Sequence, residues 1–270
     1  MAPSRVVFVL INGQPGIFQK TRGDDPDIAL KRLEMLGECL LELLPENQEG
    51  QIHVHPPSHP GKYPYESWSK RVEKTLEDHV QRRDKNVRLY IVAYSFPCRG
   101  VSLMLNRNNR SMYPHTSKID GLICLSAPPT PTKTKISWDH SYIDAQYANM
   151  ADVPPVAIRF VCGAGGGVGL DSRRYRALGD NMIQAQHSAE QSGGTETITV
   201  ATTRWCQEIT GADSVFRPHN KKRKHEADQS SELRDRNSDP DPDPDPDPLA
   251  GIRIRIAHSI LQLISDIDSI

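Results

Sequence analysis

The sequence has little cysteine, no long apolar run near its start and no excess of charge of one sign. Its five cysteines are widely spaced and form no CxxC pair, which argues against a disulfide framework or a zinc site and suits a reducing compartment. The opening apolar run covers only residues 6–11, too few for a secretory signal or a transmembrane helix. These absences predict a cytoplasmic protein.

The charge balance and the length narrow the class of protein further. Thirty-three basic residues face thirty-four acidic ones, so net charge favours neither nucleic acid nor an anionic membrane as a partner. The 270 residues suffice for one large α/β domain and are too few for two of comfortable size.

Apolar strands alternate with amphipathic helices along most of the chain. Short apolar or alternating runs that end in turn residues predict strands, at 6–11, 51–55, 88–94, 119–125, 156–162 and 195–201. Apolar residues at intervals of three to four predict helices, at 28–44, 68–80, 101–105 and 172–191. This alternation implies right-handed crossovers and a mainly parallel sheet with helices on both faces, an α/β fold.

The composition changes near the C-terminus. Residues 218–250 are nearly free of apolar side chains and end in an Asp-Pro repeat, which predicts a disordered insertion between a core at 1–217 and a closing amphipathic helix at 251–270. The KKRK run at 221–224 matches a nuclear import signal, although a solvated charge run is the commoner explanation.

Ser95 lies where an apolar strand gives way to a predicted helix, in LYIVAYSFPCRGVSLML. In a nucleophile elbow, a serine on such a sharp turn projects above the sheet, and the next N–H group, here that of Phe96, faces the developing oxyanion. Ala93 and Pro97 stand where the G-x-S-x-G pattern has glycines. Proline is tolerated in the first turn of a helix but restricts the residue before it. The alternative is a serine that merely ends a strand.

A second loop, NGQPG, follows the first predicted strand. The backbone N–H of Gln14 in this loop is a candidate second oxyanion donor, and Gly13 and Gly16 would allow a substrate to approach closely. The alternative is an ordinary turn.

Taken in order, three loops resemble those of the lipid-droplet-associated serine hydrolases, within the α/β-hydrolase superfamily. That family reads roughly PGNPG, SHAGH and GHSIG where this chain has NGQPG, SHPG and AYSFP, and the similarity covers residues 5–125. The resemblance implies an α/β-hydrolase-like fold and a hydrolase of a carboxylic ester or thioester, such as a lipid ester. It also allows association with a lipid-droplet surface, and it implies no cofactor.

The rest of the resemblance concerns the acid and the base. Where such enzymes carry the acid after the strand at 156–162, this chain has Gly166. Asp171 is the nearest substitute, although it would equally cap the helix that follows, and Asp213 is more distant. The order Ser-Asp-His leaves His219, after the last predicted strand, or His258, at the predicted start of the final helix.

Three other features of the sequence give weaker indications of function. The glycine cluster at 163–169 resembles a dinucleotide-binding turn, but Val168 replaces its third glycine. His53, His55 and His59 lack a recognisable set of further metal ligands. Cys98 is expected to be a buried, inert thiol.

Three functions therefore stay open on the sequence. The first is a serine hydrolase. The second is a catalytically impaired protein of the same fold that binds a lipid or a protein partner, since the altered elbow and the missing acid belong to parts that act as a unit. The third is a non-hydrolytic biosynthetic enzyme on this fold.

Overall fold

Six parallel strands form a single sheet in the computed structural model of the chain. The structure describes residues 4–13, 26–55, 64–81, 86–105, 111–126, 157–165, 206–213, 216 and 249–268. The strands are β1 (Ser4–Ile11), β2 (Gln48–His55), β3 (Val87–Tyr94), β4 (Gly121–Leu125), β5 (Ala157–Gly165) and β6 (Cys206–Asp213). The helices are α1 (Pro26–Glu42), α2 (Pro64–Gln81), α3 (Phe96–Leu105) and α4 (Ala250–Asp268), with a short 3-10 turn at Thr116–Lys118.

The strand order is β2-β1-β3-β4-β5-β6, and every neighbouring pair is parallel. The central strands are almost wholly apolar and buried because helices cover both faces of the sheet. One core cluster joins the sheet to α2 and α3, and the other joins it to α1 and α4. The predicted α/β architecture, with a parallel sheet between two helical layers, is confirmed.

Most predicted elements are present, with shifted ends. The strand predicted at 156–162 continues through Gly165, so the first glycines of the cluster belong to β5 rather than to a turn. The final helix begins at Ala250, one residue before the predicted 251. The predicted helix at 172–191 and the predicted strand at 195–201 lie outside the described residues, as do residues 218–248 of the insertion predicted at 218–250. No helix within the described ranges is long and apolar enough to cross a membrane.

The strand β6 was not predicted. Its sequence, CQEITGAD, contains only scattered apolar residues and includes Gly211 at φ 78°. It lies at the end of the described sheet, where one side of a strand needs no neighbour and polar side chains can face solvent. Ile209 and Ala212 are nevertheless buried and contribute to the core on the α1 and α4 side.

The segment before β4 is attached to α2 through one carboxylate. Glu73 accepts the backbone N–H groups of His115 at 2.6 Å and Thr116 at 3.1 Å, and it also accepts the Thr116 hydroxyl at 2.6 Å. Charge-assisted bonds of this kind are among the stronger hydrogen bonds in proteins. They attach the 3-10 turn at Thr116–Lys118, which leads into β4, to α2.

Candidate active site

Ser95 lies on a strained turn between β3 and α3. Its φ is 65°, a left-handed conformation that is uncommon for a residue other than glycine. The Ser95 N–H donates to the Leu125 carbonyl oxygen at 2.9 Å, and the Ser95 carbonyl oxygen accepts the Cys98 N–H at 3.1 Å. Strain of this kind costs about 1–3 kcal/mol and is concentrated at functional sites. A serine in a strained turn between a strand and a helix is the backbone geometry that the sequence predicts at this position.

The elbow forms although Ala93 and Pro97 replace its usual glycines. α3 begins at Phe96, so Pro97 lies in the first turn of the helix, where its missing N–H removes no hydrogen bond. A Cβ built on Gly13 would lie 2.6 Å from Pro97 Cδ and 3.1 Å from Ser95 Cβ. Gly13, two residues after the end of β1, therefore allows this part of the chain to lie close to Ser95 and Pro97.

Gly13 brings the end of β1 against the elbow. A Cβ at this position would also lie 2.4 Å from the Tyr94 carbonyl oxygen, so the loop that holds Gln14 starts directly beside Ser95. The sequence predicted that Gly13 lets a substrate approach closely. In the structure, the atoms closest to this position belong instead to Tyr94, Ser95 and Pro97. Gln14 and Gly16 themselves lie outside the described residues, and Phe96 is described only as the first residue of α3.

Ser126 is a second strained serine at the same edge of the sheet. It follows β4 at φ 45°, is 5% exposed, and donates its N–H to the Val161 carbonyl oxygen at 2.8 Å. Its hydroxyl is buried without a hydrogen-bond partner within the described part of the chain. Ser126 was not predicted as a site residue, although, like Ser95, it directly follows a buried apolar strand.

Phe216 brings the segment after β6 to the elbow strand. It has a φ of 60°, an outlier for a bulky residue, and it is completely buried. Its ring centroid lies 6.3 Å from that of Tyr94, the residue before Ser95. The three described non-glycine residues with positive φ are therefore Ser95, Ser126 and Phe216, and each follows a strand of the sheet.

Of the four candidate bases and acids, only His258 and Asp213 fall within the described residues. His258 lies eight residues after the start of α4, with an exposed side chain, so the prediction that it opens the helix is wrong. No hydrogen bond between described residues joins His258 to Ser95. His219 and Asp171 lie outside the described residues, and Asp213 is described only as the last residue of β6.

Cys98 lies in the first turn of α3, close behind the elbow. It is completely buried, and its thiol donates to the Ala93 carbonyl oxygen at 3.0 Å. The predicted burial of this thiol is confirmed.

A separate polar cluster lies between β2 and α2. The Nε2 atoms of His53 and His79 are 2.7 Å apart, and Thr75 Oγ1 is 3.3 Å from His55 Nε2. Burial, followed by the charge of Arg5, lowers the pKa of His53. No group of three or more potential metal ligands occurs among the described side chains, and His59 lies outside them.

His55 predicts a loss of stability in acid. Burial, followed by the charges of Arg71 and His53, lowers its pKa to about 4 from an ordinary 6.5. Between about pH 6.5 and 4, His55 therefore binds a proton in the unfolded chain but not in the folded chain. We expect the free energy of unfolding to fall by up to about 3 kcal/mol between pH 6.5 and 4 from this residue.

Urea unfolding at several values of pH, followed by circular dichroism, measures this effect. A His55→Gln variant should lose part of the slope between pH 6.5 and 4, with stability at neutral pH as the reference. An unchanged slope in that variant would assign the acid sensitivity to other groups.

The strand order, with a strained serine between the third strand and its helix, makes the fold α/β-hydrolase-like, as predicted. No family model and no curated protein matches the chain. Among solved structures, it is similar to a protein of Lactobacillus plantarum WCFS1 that was provisionally named a cell surface hydrolase. That similarity has a TM-score of 0.43 at 14% identity and covers 78% of this chain and 82% of the other. A likeness this distant leaves the function to be argued from the site itself.

Proposed function

We propose that this chain is a serine hydrolase that cleaves a carboxylic ester or thioester, with Ser95 as its nucleophile. The observation that carries the proposal is the left-handed turn of Ser95 between a buried parallel strand and a helix. A strained turn of this kind persists only where the surrounding structure holds it in place, and such turns cluster at active sites. In hydrolases of this fold, the turn makes the serine oxygen project above the sheet.

The proposed reaction uses groups on both sides of Ser95. The Ser95 oxygen attacks the carbonyl carbon while a histidine takes its proton, and the negative charge that develops on the carbonyl oxygen is held by the N–H groups of Phe96 and Gln14. Gly13 supports the role of Gln14, because it lies against Ser95 and is followed directly by Gln14. The C–O or C–S bond of the substrate then breaks, and the histidine gives its proton to the departing alcohol or thiol, which leaves an acyl group on Ser95. Water, deprotonated by the same histidine, attacks this acyl group, so the carboxylic acid leaves and the Ser95 oxygen takes back the proton.

We propose His219 as the base in preference to His258. Phe216 contacts Tyr94, and His219 comes three residues later, a stretch that spans at most about 10 Å when extended. The exposed position of His258 within α4 offers no comparable connection to the elbow. Asp171 is the proposed acid that orients the imidazole.

A pair of variants tests this assignment. His219→Ala should lower the rate of ester hydrolysis by about 10²- to 10⁴-fold, the usual contribution of a general base, and the matched His258→Ala variant should stay within twofold of the wild type. The rates are measured on a p-nitrophenyl ester. A large loss in His258→Ala with none in His219→Ala would reverse the assignment.

The function itself is tested by labelling the purified protein with a fluorophosphonate probe and mapping the adduct by mass spectrometry. We expect a single adduct, on the peptide that contains Ser95. If the folded protein is not labelled, the hydrolase proposal fails. Gly166, in the place of the expected acid, would then support the impaired, ligand-binding alternative.

The substrate class is a further part of the proposal. The resemblance of NGQPG, SHPG and AYSFP to the loops of lipid-droplet-associated hydrolases supports a lipid ester as substrate and a cytoplasmic or lipid-droplet location. Hydrolysis of p-nitrophenyl esters with acyl chains of two to sixteen carbons tests the substrate. A preference for the shortest chains would contradict a lipid ester.

A further inference from the structure

A chain of polar side chains joins β1, β2 and α2 at one end of the described sheet. Arg5, on β1, donates to Gln51 Oε1 on β2. Gln51 Nε2 lies 2.9 Å from His53 Nε2, and the same His53 atom lies 2.7 Å from His79 Nε2 on α2. The chain therefore connects β2 both to its neighbouring strand and to a helix.

The contacts determine where the protons of this chain lie. A guanidinium can only donate, so the oxygen of the Gln51 amide faces Arg5 and its NH₂ group faces His53. An NH₂ group also only donates, so His53 Nε2 must be an unprotonated acceptor. His79 Nε2 faces the same acceptor and therefore carries a proton. A proton added to His53 Nε2 would point at two other donors and break both hydrogen bonds.

His55 is a second ring of β2 that contacts α2. Thr75 Oγ1 donates its proton to the Arg71 carbonyl oxygen at 3.1 Å and lies 3.3 Å from His55 Nε2. The Thr75 oxygen therefore accepts the Nε2–H of His55, and a further proton would have to be added to Nδ1. Burial, followed by the charges of Arg71 and His53, disfavours that proton and lowers the pKa of His55 to about 4.

The charged groups around the two rings oppose added protons more than they favour them. Arg5 on β1 repels a positive charge on His53, and Arg71 on α2 repels one on His55. Asp78 on α2 attracts a proton to His53, but its side chain is exposed, so solvent and salt screen the attraction. Burial, followed by Arg5, accordingly lowers the pKa of His53. Both rings are therefore neutral in the folded chain at neutral pH.

The end of β2 that carries His55 is bonded to the segment beside Ser95. The His55 carbonyl oxygen accepts the Asn12 N–H at 3.1 Å. Gly13 follows Asn12, and a Cβ built on Gly13 would lie 3.1 Å from Ser95 Cβ. Separation of this end of β2 would remove a hydrogen bond that holds the segment in place against the elbow.

We propose that β2 is a pH-sensitive element, which separates from α2 when His53 and His55 are protonated and thereby lowers the reactivity of Ser95 in acid. The opening is linked to two protons, because each ring binds its proton readily only after β2 has left α2. Within the described sheet β2 pairs with β1 alone, so it can open at a lower free energy than the central strands. The effect on Ser95 rests on the proposed function, whereas the opening of β2 does not.

Hydrogen–deuterium exchange of the full chain at pH 7.5 and 5.5, corrected for the intrinsic effect of pH, measures the opening. We expect exchange of the β2 amides to rise by up to about 100-fold, since each proton contributes up to about tenfold per pH unit below its pKa of 6.5 in the open strand. The amides of β4, between β3 and β5, should stay protected. Loss of protection in β4 together with β2 would indicate global unfolding and overturn the inference.

Glutamine variants count the protons. His53→Gln keeps an acceptor for the neighbouring donors, and His55→Gln keeps a donor for Thr75, but neither side chain titrates. Each single variant should retain a rise of about tenfold, and the double variant a rise below about threefold. His115→Gln is the matched control, because His115 bonds to the Glu73 carboxylate outside this cluster, and it should show the full wild-type rise. An equal rise in the wild type and the double variant would overturn the inference.

Fluorophosphonate labelling of Ser95 tests the link to the site. The double variant should be labelled within about twofold of the wild-type rate at pH 7.5 and at least about threefold faster than the wild type at pH 5.5. Both proteins have the same catalytic base, so its titration cancels in this ratio. If β2 opens in acid but the two rates stay equal, the link to Ser95 is wrong and the hydrolase stands. If neither protein is labelled at any pH, the hydrolase proposal and the link fail, while exchange still decides whether β2 opens.

Discussion

Replacing Ser95 by alanine is expected to lower kcat for ester hydrolysis by about 10⁴- to 10⁶-fold, the loss seen when a nucleophilic serine is removed. Alanine keeps the Cβ and removes only the oxygen that would attack the carbonyl carbon. The rate is measured on a p-nitrophenyl ester, with fluorophosphonate labelling as an independent readout. Circular dichroism confirms that the variant is folded.

A glycine at the same position tests the strain. Because Ser95 has a φ of 65°, Ser95→Gly should be as inactive as Ser95→Ala but melt at a higher temperature, since glycine adopts this conformation without steric cost. A Ser95→Ala variant that keeps its activity to within tenfold would remove Ser95 from the mechanism. In that case the neighbouring Ser126 would be the next nucleophile to test.

Replacing Gly13 by alanine is expected to destabilise the protein by about 3 kcal/mol, the upper part of the usual range for overpacking, and to abolish labelling of Ser95. The new Cβ would lie 2.4 Å from the Tyr94 carbonyl oxygen and 2.6 Å from Pro97 Cδ. Neither atom belongs to a flexible side chain that could turn away. Relief of the clash must therefore move the end of β1 away from the elbow or distort the turn at Ser95.

Urea unfolding and the labelling rate measure the two effects of Gly13→Ala. Gly251→Ala is the matched control, because a Cβ there meets nothing within 4 Å and the residue lies in the first turn of α4. This control should be neutral or slightly stabilising, since alanine favours helix more than glycine does. A loss below about 1 kcal/mol in Gly13→Ala, with normal labelling, would show that the end of β1 is not packed tightly against the turn at Ser95.

Local patterns along the chain were enough to predict the strands and helices that build most of the core. The runs at 6–11 and 89–94 are continuous and apolar because both faces of these strands are buried, and α1 and α2 show the spacing of helices with one buried face. The elbow was visible for the same reason, as a serine between an apolar strand and a helix. β6 was not predicted because this strand at the end of the sheet contains Gln207, Glu208 and Gly211 and therefore has no continuous apolar run.

The α/β class, the main strands and helices and the position of Ser95 can be predicted from sequence patterns, because these features depend on residues close together in the chain. The surroundings of Ser95 cannot be predicted in this way and are known only from the folded structure. Gly13, Ser126 and Phe216 are distant from it in sequence and meet its strand through the order and register of parallel strands. No local pattern encodes that pairing, since it follows from how the whole sheet buries its two faces.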